Sequence, residues 1–248
     1  KYFLFQIELG INKKTKIVTT SNYSKTNLKD RIKTKTTINY IYQSSEKPQV
    51  QNQDKSSNLK LPKSYILHIG SFEKRKDLYT LVKAFADLKN NNSNKNLKLI
   101  LAGAIIVNGN KKVYEEIKSF IINNCLENDV IFTNYINNDD LVIYYNNAMV
   151  YVFPSIDEGF GIPIIESFSH SVPVICSNIP IFKEIGNKAV VYFEVGNFMS
   201  LSKKIQELVN SKKLRQKYAN KGKIQLKNFN RKKFIKGFEN LICNWNEK

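Results

Sequence analysis

Tyr151-Val-Phe-Pro-Ser-Ile-Asp-Glu-Gly-Phe-Gly-Ile-Pro-Ile-Ile-Glu166 is the stretch from which the fold of this 248-residue chain is read. An apolar strand ends at Phe153 and runs into a Pro154-Ser155 turn. A short acidic loop with two glycines follows, and Pro163 is expected to open a helix, since a first helical position does not need the N–H that proline lacks. A loop ending on a helix N-terminus offers unpaired backbone N–H groups and the positive end of a dipole to an anion, typically phosphate. Two carboxylates, Glu158 and Glu166, bracket the loop with seven residues between them. On a helical wheel Ile164, Ile165 and Phe168 share one side and Glu166 falls nearly opposite, away from the core. By itself each acid also has a plain explanation: Glu166 favoured by the helix dipole, Glu158 as a solvated loop residue.

Outward from this stretch the chain alternates. Strands are expected at Tyr65–Gly70, Leu97–Gly103, Val130–Thr133, Met149–Phe153, Val172–Cys176 and Ala189–Phe193. Helices are expected between them at Asp77–Lys89, Val113–Asn124, Asp139–Asn147, Pro163–His170 and Ile181–Ile185, then near 198–210, 212–227 and 231–246. Leu78, Leu81, Val82, Phe85 and Leu88 recur at helical spacing. Near-continuous apolar strands alternating with helices predict an α/β fold, a doubly wound parallel sheet covered on both faces. Ligands of such sheets sit at the carboxyl ends of the strands, here the exits 70–77, 103–110 and 154–161. In the first of these, Gly70-Ser-Phe-Glu-Lys-Arg-Lys76-Asp, Arg75 and Lys76 precede a second helix N-terminus. Cations there oppose the dipole unless an anion lies between, so the loop reads either as a phosphate site or as a charged surface turn.

Before Pro62 the pattern is weaker. Lys16–Thr20 and Ile38–Tyr42 read as short strands, with a helix opening at Ser21 between them. The polar stretch 44–63 reads as a linker or mobile loop. The expected division is residues 1–43 as the tail of a preceding domain, 44–63 as linker, 64–230 as the ligand-binding domain, and 231–248 as a C-terminal helix crossing back toward the first segment.

Composition narrows the class. No apolar run approaches the ~18–20 residues of a membrane helix. Three widely spaced cysteines (Cys125, Cys176, Cys243) and two histidines fit neither a disulfide framework nor a zinc site. A reducing, cytoplasmic setting is expected, with the chain either free or peripheral at a membrane face. The net charge of +18 fits either compositional drift in a Lys-, Asn- and Ile-rich chain or contact with an anionic lipid surface. The charge is scattered and no RNP, helix-turn-helix or zinc-finger pattern appears, so nucleic acid is not the expected partner.

Taken together, these segments resemble the retaining glycosyltransferases of GT-B architecture, specifically glycosyltransferase family 4 (glycosyl transferases group 1), mainly its C-terminal Rossmann-like donor-binding domain with a remnant of the N-terminal one. Glu158-Gly-Phe-Gly-Ile-Pro-Ile-Ile-Glu166 matches that family's E-x7-E motif. Pro154-Ser155, the Ser177–Glu184 segment and the Gly-x-x-x-x-Arg-Lys-Asp loop at 70–77 match as well. The resemblance implies transfer of a sugar from a nucleotide-sugar, with retention of configuration and without metal or other cofactor, to an unknown acceptor (a glycan, a lipid-linked sugar or a protein). It implies that Lys76 and Arg75 neutralise the donor diphosphate and that backbone N–H groups of Phe160, Gly161 and Ile162, beside Gly159, bind phosphate or sugar oxygens. Glu166 would grip the ribose diol, Glu158 the transferred sugar, and the Asn134-Tyr135-Ile136 segment the base. Ser71 stands where many members carry Arg, and His170-Ser171 replaces a common small-residue pair. The family's Gly-rich acceptor loop and catalytic His have no counterpart here. His68 is expected to be a core residue. Two other readings stand beside this one: a non-catalytic sugar-nucleotide-binding module served by a partner, and a basic nucleic-acid-binding protein.

Overall fold

A computed structural model describes residues 11, 15–32, 35–45, 59–91, 94–103, 111–133 and 135–243. Residues 104–110 of the expected strand exit at 103–110, most of the expected linker and Asn134 lie outside these residues.

Two short parallel strands come first, β1 (Ile17–Thr19) and β2 (Ile38–Tyr40), connected through helix α1 (Asn22–Arg31). Ser21 caps α1, its hydroxyl accepting from the Ser24 N–H. The main body runs β3 (Tyr65–Ile69), α2 (Leu78–Asn90), β4 (Lys98–Ala102), α3 (Lys111–Asn123), β5 (Val130–Thr133), α4 (Asn138–Asn147), β6 (Val150–Phe153), α5 (Ile162–Ser169), β7 (Val174–Ser177), α6 (Pro180–Gly186) and β8 (Val191–Phe193). Helices α7 (Phe198–Asn210), α8 (Lys212–Leu226) and α9 (Arg231–Cys243) follow.

Strands β3 to β8 form one parallel sheet in the order β5-β4-β3-β6-β7-β8. The doubly wound parallel sheet expected from the sequence is therefore present. Strand side chains alternate between two cores. Ile66, Leu99, Leu101, Val150 and Val152 pack under α2, α3 and α7. Leu67, Ile100, Tyr151, Phe153 and Val174 pack under α4, α5 and α6. Burial on both faces explains why the strands read as unbroken apolar runs.

The chain winds outward from β3 through β4 to β5, then returns beside β3 and winds the other way. The reversal lies between β3 and β6, and the carboxyl ends of the strands at such a point are where a doubly wound sheet takes its ligands. Both loops singled out in the sequence leave the sheet at this point.

Several boundaries differ from the sequence expectations for local reasons. Asp77 does not open α2. It adopts a left-handed conformation (φ 46°, ψ 42°) after a 3-10 turn at Lys74–Lys76, so the helix starts at Leu78. Pro163 is the second rather than the first residue of α5. Gly161 turns the chain at φ 104°, and the Ile164 N–H already bonds its carbonyl at 3.0 Å. In the segment read as linker, Leu59 and Leu61 pack against the second core. Helix α9 lies against the first small sheet: a Cβ at Gly237 would sit 3.0 Å from Ile41 Cγ2.

Candidate functional site at the strand reversal

The two loops meet through charge. Lys76, only 9% exposed, extends its Nζ to within 2.6 Å of Glu158 Oε1, with its ammonium 5.2 Å from the centre of the Phe153 ring. Arg75 Nη1 reaches the same carboxylate oxygen at 2.9 Å, and its Nε donates to Glu73 Oε2 at 2.7 Å. The Ser71 hydroxyl donates to the other oxygen of Glu73. A backbone bond from the Ile156 N–H to the Arg75 carbonyl (2.8 Å) fastens one loop to the other.

Burial decides which pair matters. The Lys76 and Glu158 side chains retain 11% and 12% of their exposure, and leaving one partner of such a pair alone costs about 3–5 kcal/mol. Arg75 is far more open, so its contacts contribute ~0–1 kcal/mol. Burial alone would draw the Arg75 guanidinium down, but the charges of Glu158 and Glu73 prevail and hold it above its ordinary value. The Ser71 hydrogen bond, with Arg75 beside it, lowers the Glu73 carboxyl against the opposing effect of burial.

Glu166 is half-buried rather than open to solvent. It points away from Ile164, Ile165 and Phe168, as its helical position requires, but the fold brings α4 over it, and Tyr145 Oη donates to Glu166 Oε2 at 3.0 Å. Burial raises its carboxyl above the ordinary range, and the Tyr145 hydrogen bond offsets only part of that shift. His170 stacks on Tyr145, ring centres 5.1 Å apart and 8° from parallel, and its Nδ1 lies 2.9 Å from Asn146 Oδ1. The His170-Ser171 departure from the family pattern thus supports the tyrosine that holds Glu166.

The glycines divide. Gly161 is needed for its positive φ, and a Cβ there would lie 3.2 Å from the Phe182 ring. Gly159 has no positive φ, and a Cβ there would meet nothing within 4 Å. No intramolecular constraint requires glycine at 159, which fits a position where a ligand approaches the backbone. It borders a cleft of about 270 Å³ that also takes in Asn27 and Arg31 of α1 with Asp157 and Glu158. Phe160 is buried against the Tyr42 and Phe229 rings, and Ile162 lines a separate groove with Val18 and Phe234. Only the backbones of Phe160 and Ile162 remain eligible for a ligand.

Tyr135 and Ile136 are not brought to this cluster. They follow β5, two strands and roughly 10 Å across the sheet from β3. Tyr135 is 81% exposed, while Ile136 packs against the second core. His68 is buried in β3, with Nδ1 2.9 Å from the Val152 carbonyl oxygen. Burial pushes its imidazole down to about 4.

Sequence reasoning missed three contributors. Tyr145 gave no signal, because its role depends on α4 crossing Glu166. Glu184 accepts from the Asn22 and Tyr23 N–H groups, both at 2.8 Å, so it holds the N-terminus of α1. Ser155, directly after Pro154, buries a hydroxyl with no partner among the described residues. The Pro154-Ser155 and Ser177–Glu184 matches marked the last two positions without indicating a task.

A parallel sheet whose winding reverses between β3 and β6, with oppositely charged loops and a helix N-terminus at that point, is a doubly wound α/β domain. The chain belongs to the glycosyl transferases group 1 family, whose model matches residues 49–225. It is 30% identical over 197 residues to the O-antigen chain mannosyltransferase RfbU of Salmonella typhimurium, covering 77% of this chain and 50% of that protein. It is also 30% identical over 122 residues to the O-antigen chain mannosyltransferase B of Escherichia coli, covering 49% and 30% respectively. Among solved structures, sucrose-phosphate synthase from Thermosynechococcus elongatus matches with a TM-score of 0.82 at 21% identity, over 97% of this chain and 61% of that one. HepE from Anabaena in complex with UDP and glucose matches with a TM-score of 0.78 at 17% identity, over 91% and 62%. The fold is the Rossmann-like domain of GT-B proteins. The chain spans about half the length of RfbU. Among the described residues no helix is long and apolar enough to cross a membrane.

Proposed function

We propose that this chain is the donor-binding half of a retaining family 4 glycosyltransferase that transfers a hexosyl group from a nucleotide-sugar to a glycan, lipid-linked sugar or protein acceptor. One observation carries the proposal: Lys76 and Arg75 converge on Glu158 at the β3–β6 reversal, beside a helix N-terminus and the open backbone of Gly159. Two cations and a set of backbone N–H groups match a diphosphate. A donor diphosphate competes with Glu158 for Lys76 and Arg75. It thereby releases the Glu158 carboxylate to accept hydroxyls of the transferred sugar. As the glycosidic bond breaks, negative charge grows on the leaving phosphate, where the same cations stabilise it. They supply the positive charge at that oxygen, and the reaction proceeds without a metal ion.

Glu166 binds the ribose 2′ and 3′ hydroxyls. A carboxylate has two acceptor oxygens and a vicinal diol two donors, and the Tyr145 hydrogen bond fixes the rotamer. The base lies toward Tyr135 and Ile136, at the far side of the site. The names of the curated relatives make mannose the first sugar to test. The many lysines of α8 and α9, including Lys212, Lys213, Lys232 and Lys233, favour an acceptor presented at an anionic membrane surface.

Titration of the chain with UDP- and GDP-sugars tests the proposal. Binding by one of them is expected, weakened in Glu166→Ala by ~2–3 kcal/mol, the value of a partly buried hydrogen-bonded charge. Failure of every donor to bind, with Glu166→Ala indistinguishable from wild type, would sink it.

A further inference from the structure

The carbonyl oxygen of Gly159 is held by a different part of the chain. Ser24 Oγ donates to it at 2.9 Å, Ser21 Oγ lies at 3.0 Å and Thr20 Oγ1 at 3.3 Å. All three belong to the turn that opens α1. The Ser21 hydroxyl is also 2.9 Å from Ser24 Oγ, so the two serines share their protons around one acceptor. Helix α1 is itself fixed to the main body, because Glu184 accepts from the Asn22 and Tyr23 N–H groups. An exposed loop carbonyl would normally be satisfied by water. Here a glycine that no steric contact constrains, in the loop carrying Glu158, has its carbonyl aimed at a cluster of hydroxyls anchored by a carboxylate.

Peptide planarity supplies the consequence. The chain has no cis peptide among the described residues, so the Phe160 N–H points opposite to the Gly159 C=O. Fixing the carbonyl toward α1 directs this N–H away from α1. Hydrogen bonds to the carbonyl also polarise the peptide and strengthen its N–H as a donor. We propose that Ser21 and Ser24 are positioning residues for donor binding: they orient the Gly159–Phe160 peptide so that its N–H is presented to the donor diphosphate. The inference rests on the nucleotide-sugar reading above and assigns to α1 a task in that site. The serines act through the loop, although Ser24 also borders the cleft beside Glu158 and Gly159.

Ser21 also caps α1, so its deletion would confound two roles. Aspartate separates them, because it caps as well as serine but has no proton to give the carbonyl. The test is calorimetric titration of the full chain with UDP and GDP, and with uridine and guanosine, for wild type, Ser24→Ala, Ser24→Thr and the double variant Ser21→Asp with Ser24→Ala. Expected is a loss of about tenfold in nucleoside diphosphate affinity for the double variant, a smaller loss for Ser24→Ala, and unchanged affinity for Ser24→Thr, which keeps the hydroxyl. Nucleoside affinity and the far-ultraviolet circular dichroism should not move. Equal diphosphate affinity in the double variant and wild type overturns the inference. So does a parallel loss of nucleoside affinity, which would mean a merely structural role. A wild-type chain that binds neither diphosphate overturns the nucleotide-sugar reading and this inference together.

Discussion

The two loops at the strand reversal reach the same point in different ways. The loop after β3 is braced from within. Ser71 holds Glu73, Glu73 holds Arg75, a 3-10 turn follows and Asp77 closes it in a left-handed conformation. The loop after β6 is held by other parts of the chain: by Arg75 through Ile156, by the hydroxyls of α1 through Gly159, and by the second core through Phe160. A loop with internal bracing presents its cations with fewer outside supports. A loop braced by α1 depends on how that segment sits. Arg75 and Lys76 thus sit on a loop with its own bracing, whereas Glu158 sits on a loop that α1 helps to hold.

The largest blow to this pairing is Lys76→Ala. It removes the more buried of the two cations and leaves Glu158 with only the exposed Arg75. Stability is expected to fall by about 3 kcal/mol in urea unfolding. Donor affinity is expected to fall by about 100-fold in titration, because a charge-assisted diphosphate contact is lost. An unchanged affinity would mean that the diphosphate does not lie against Lys76.

Acid strikes the support beneath the self-braced loop. His68 lies in the strand that feeds it, and a Cβ on Gly70 would be 3.0 Å from His68 Nε2. Its folded value of about 4 is depressed from 6.5 by burial. Between those values the unfolded chain binds a proton that the native chain refuses, so stability falls as pH falls through this window. Over the window the loss is on the order of 3 kcal/mol. Unfolding curves of wild type and His68→Gln at pH 7 and pH 4 should differ in pH dependence by that amount. Matching curves would show that His68 is solvated rather than buried.

A glycine pair sharpens the contrast with the least perturbation. Gly161→Ala forces a Cβ into positive φ beside Phe182 and should lower stability by ~1–3 kcal/mol. Gly159→Ala should leave stability within ~0.5 kcal/mol. Its donor affinity should nevertheless drop about tenfold, because the added methyl occupies the open face of the loop. Melting temperature and nucleotide titration on both variants check this, and an unchanged affinity for Gly159→Ala would place the ligand elsewhere.

Much of this was legible in the residues. Six strands and the helices between them follow from apolar runs and helical spacing, because a parallel sheet buried on both faces imposes that pattern directly. Glu166 pointing away from Ile164 and Phe168 follows from the period of a helix. Its surroundings do not, because Tyr145 meets it only when α4 packs across α5. Spacing placed Lys76 and Glu158 on separate strand exits, but no local rule puts residues 82 positions apart on one oxygen. The left-handed Asp77 and the unforced glycine at 159 are also invisible in sequence, since both depend on backbone angles and on what surrounds the loop.

By itself, then, the sequence determined the parallel α/β architecture, the two charged loops and the family, since each is encoded in short-range periodicity and motif spacing. The tertiary structure alone decided that Lys76 and Arg75 neutralise Glu158, that Tyr145 and His170 shape the setting of Glu166, and that α1 steadies the loop at Gly159. Those contacts join segments far apart in the chain, and they exist only because the winding reverses between β3 and β6 and the connecting elements fold back over that point.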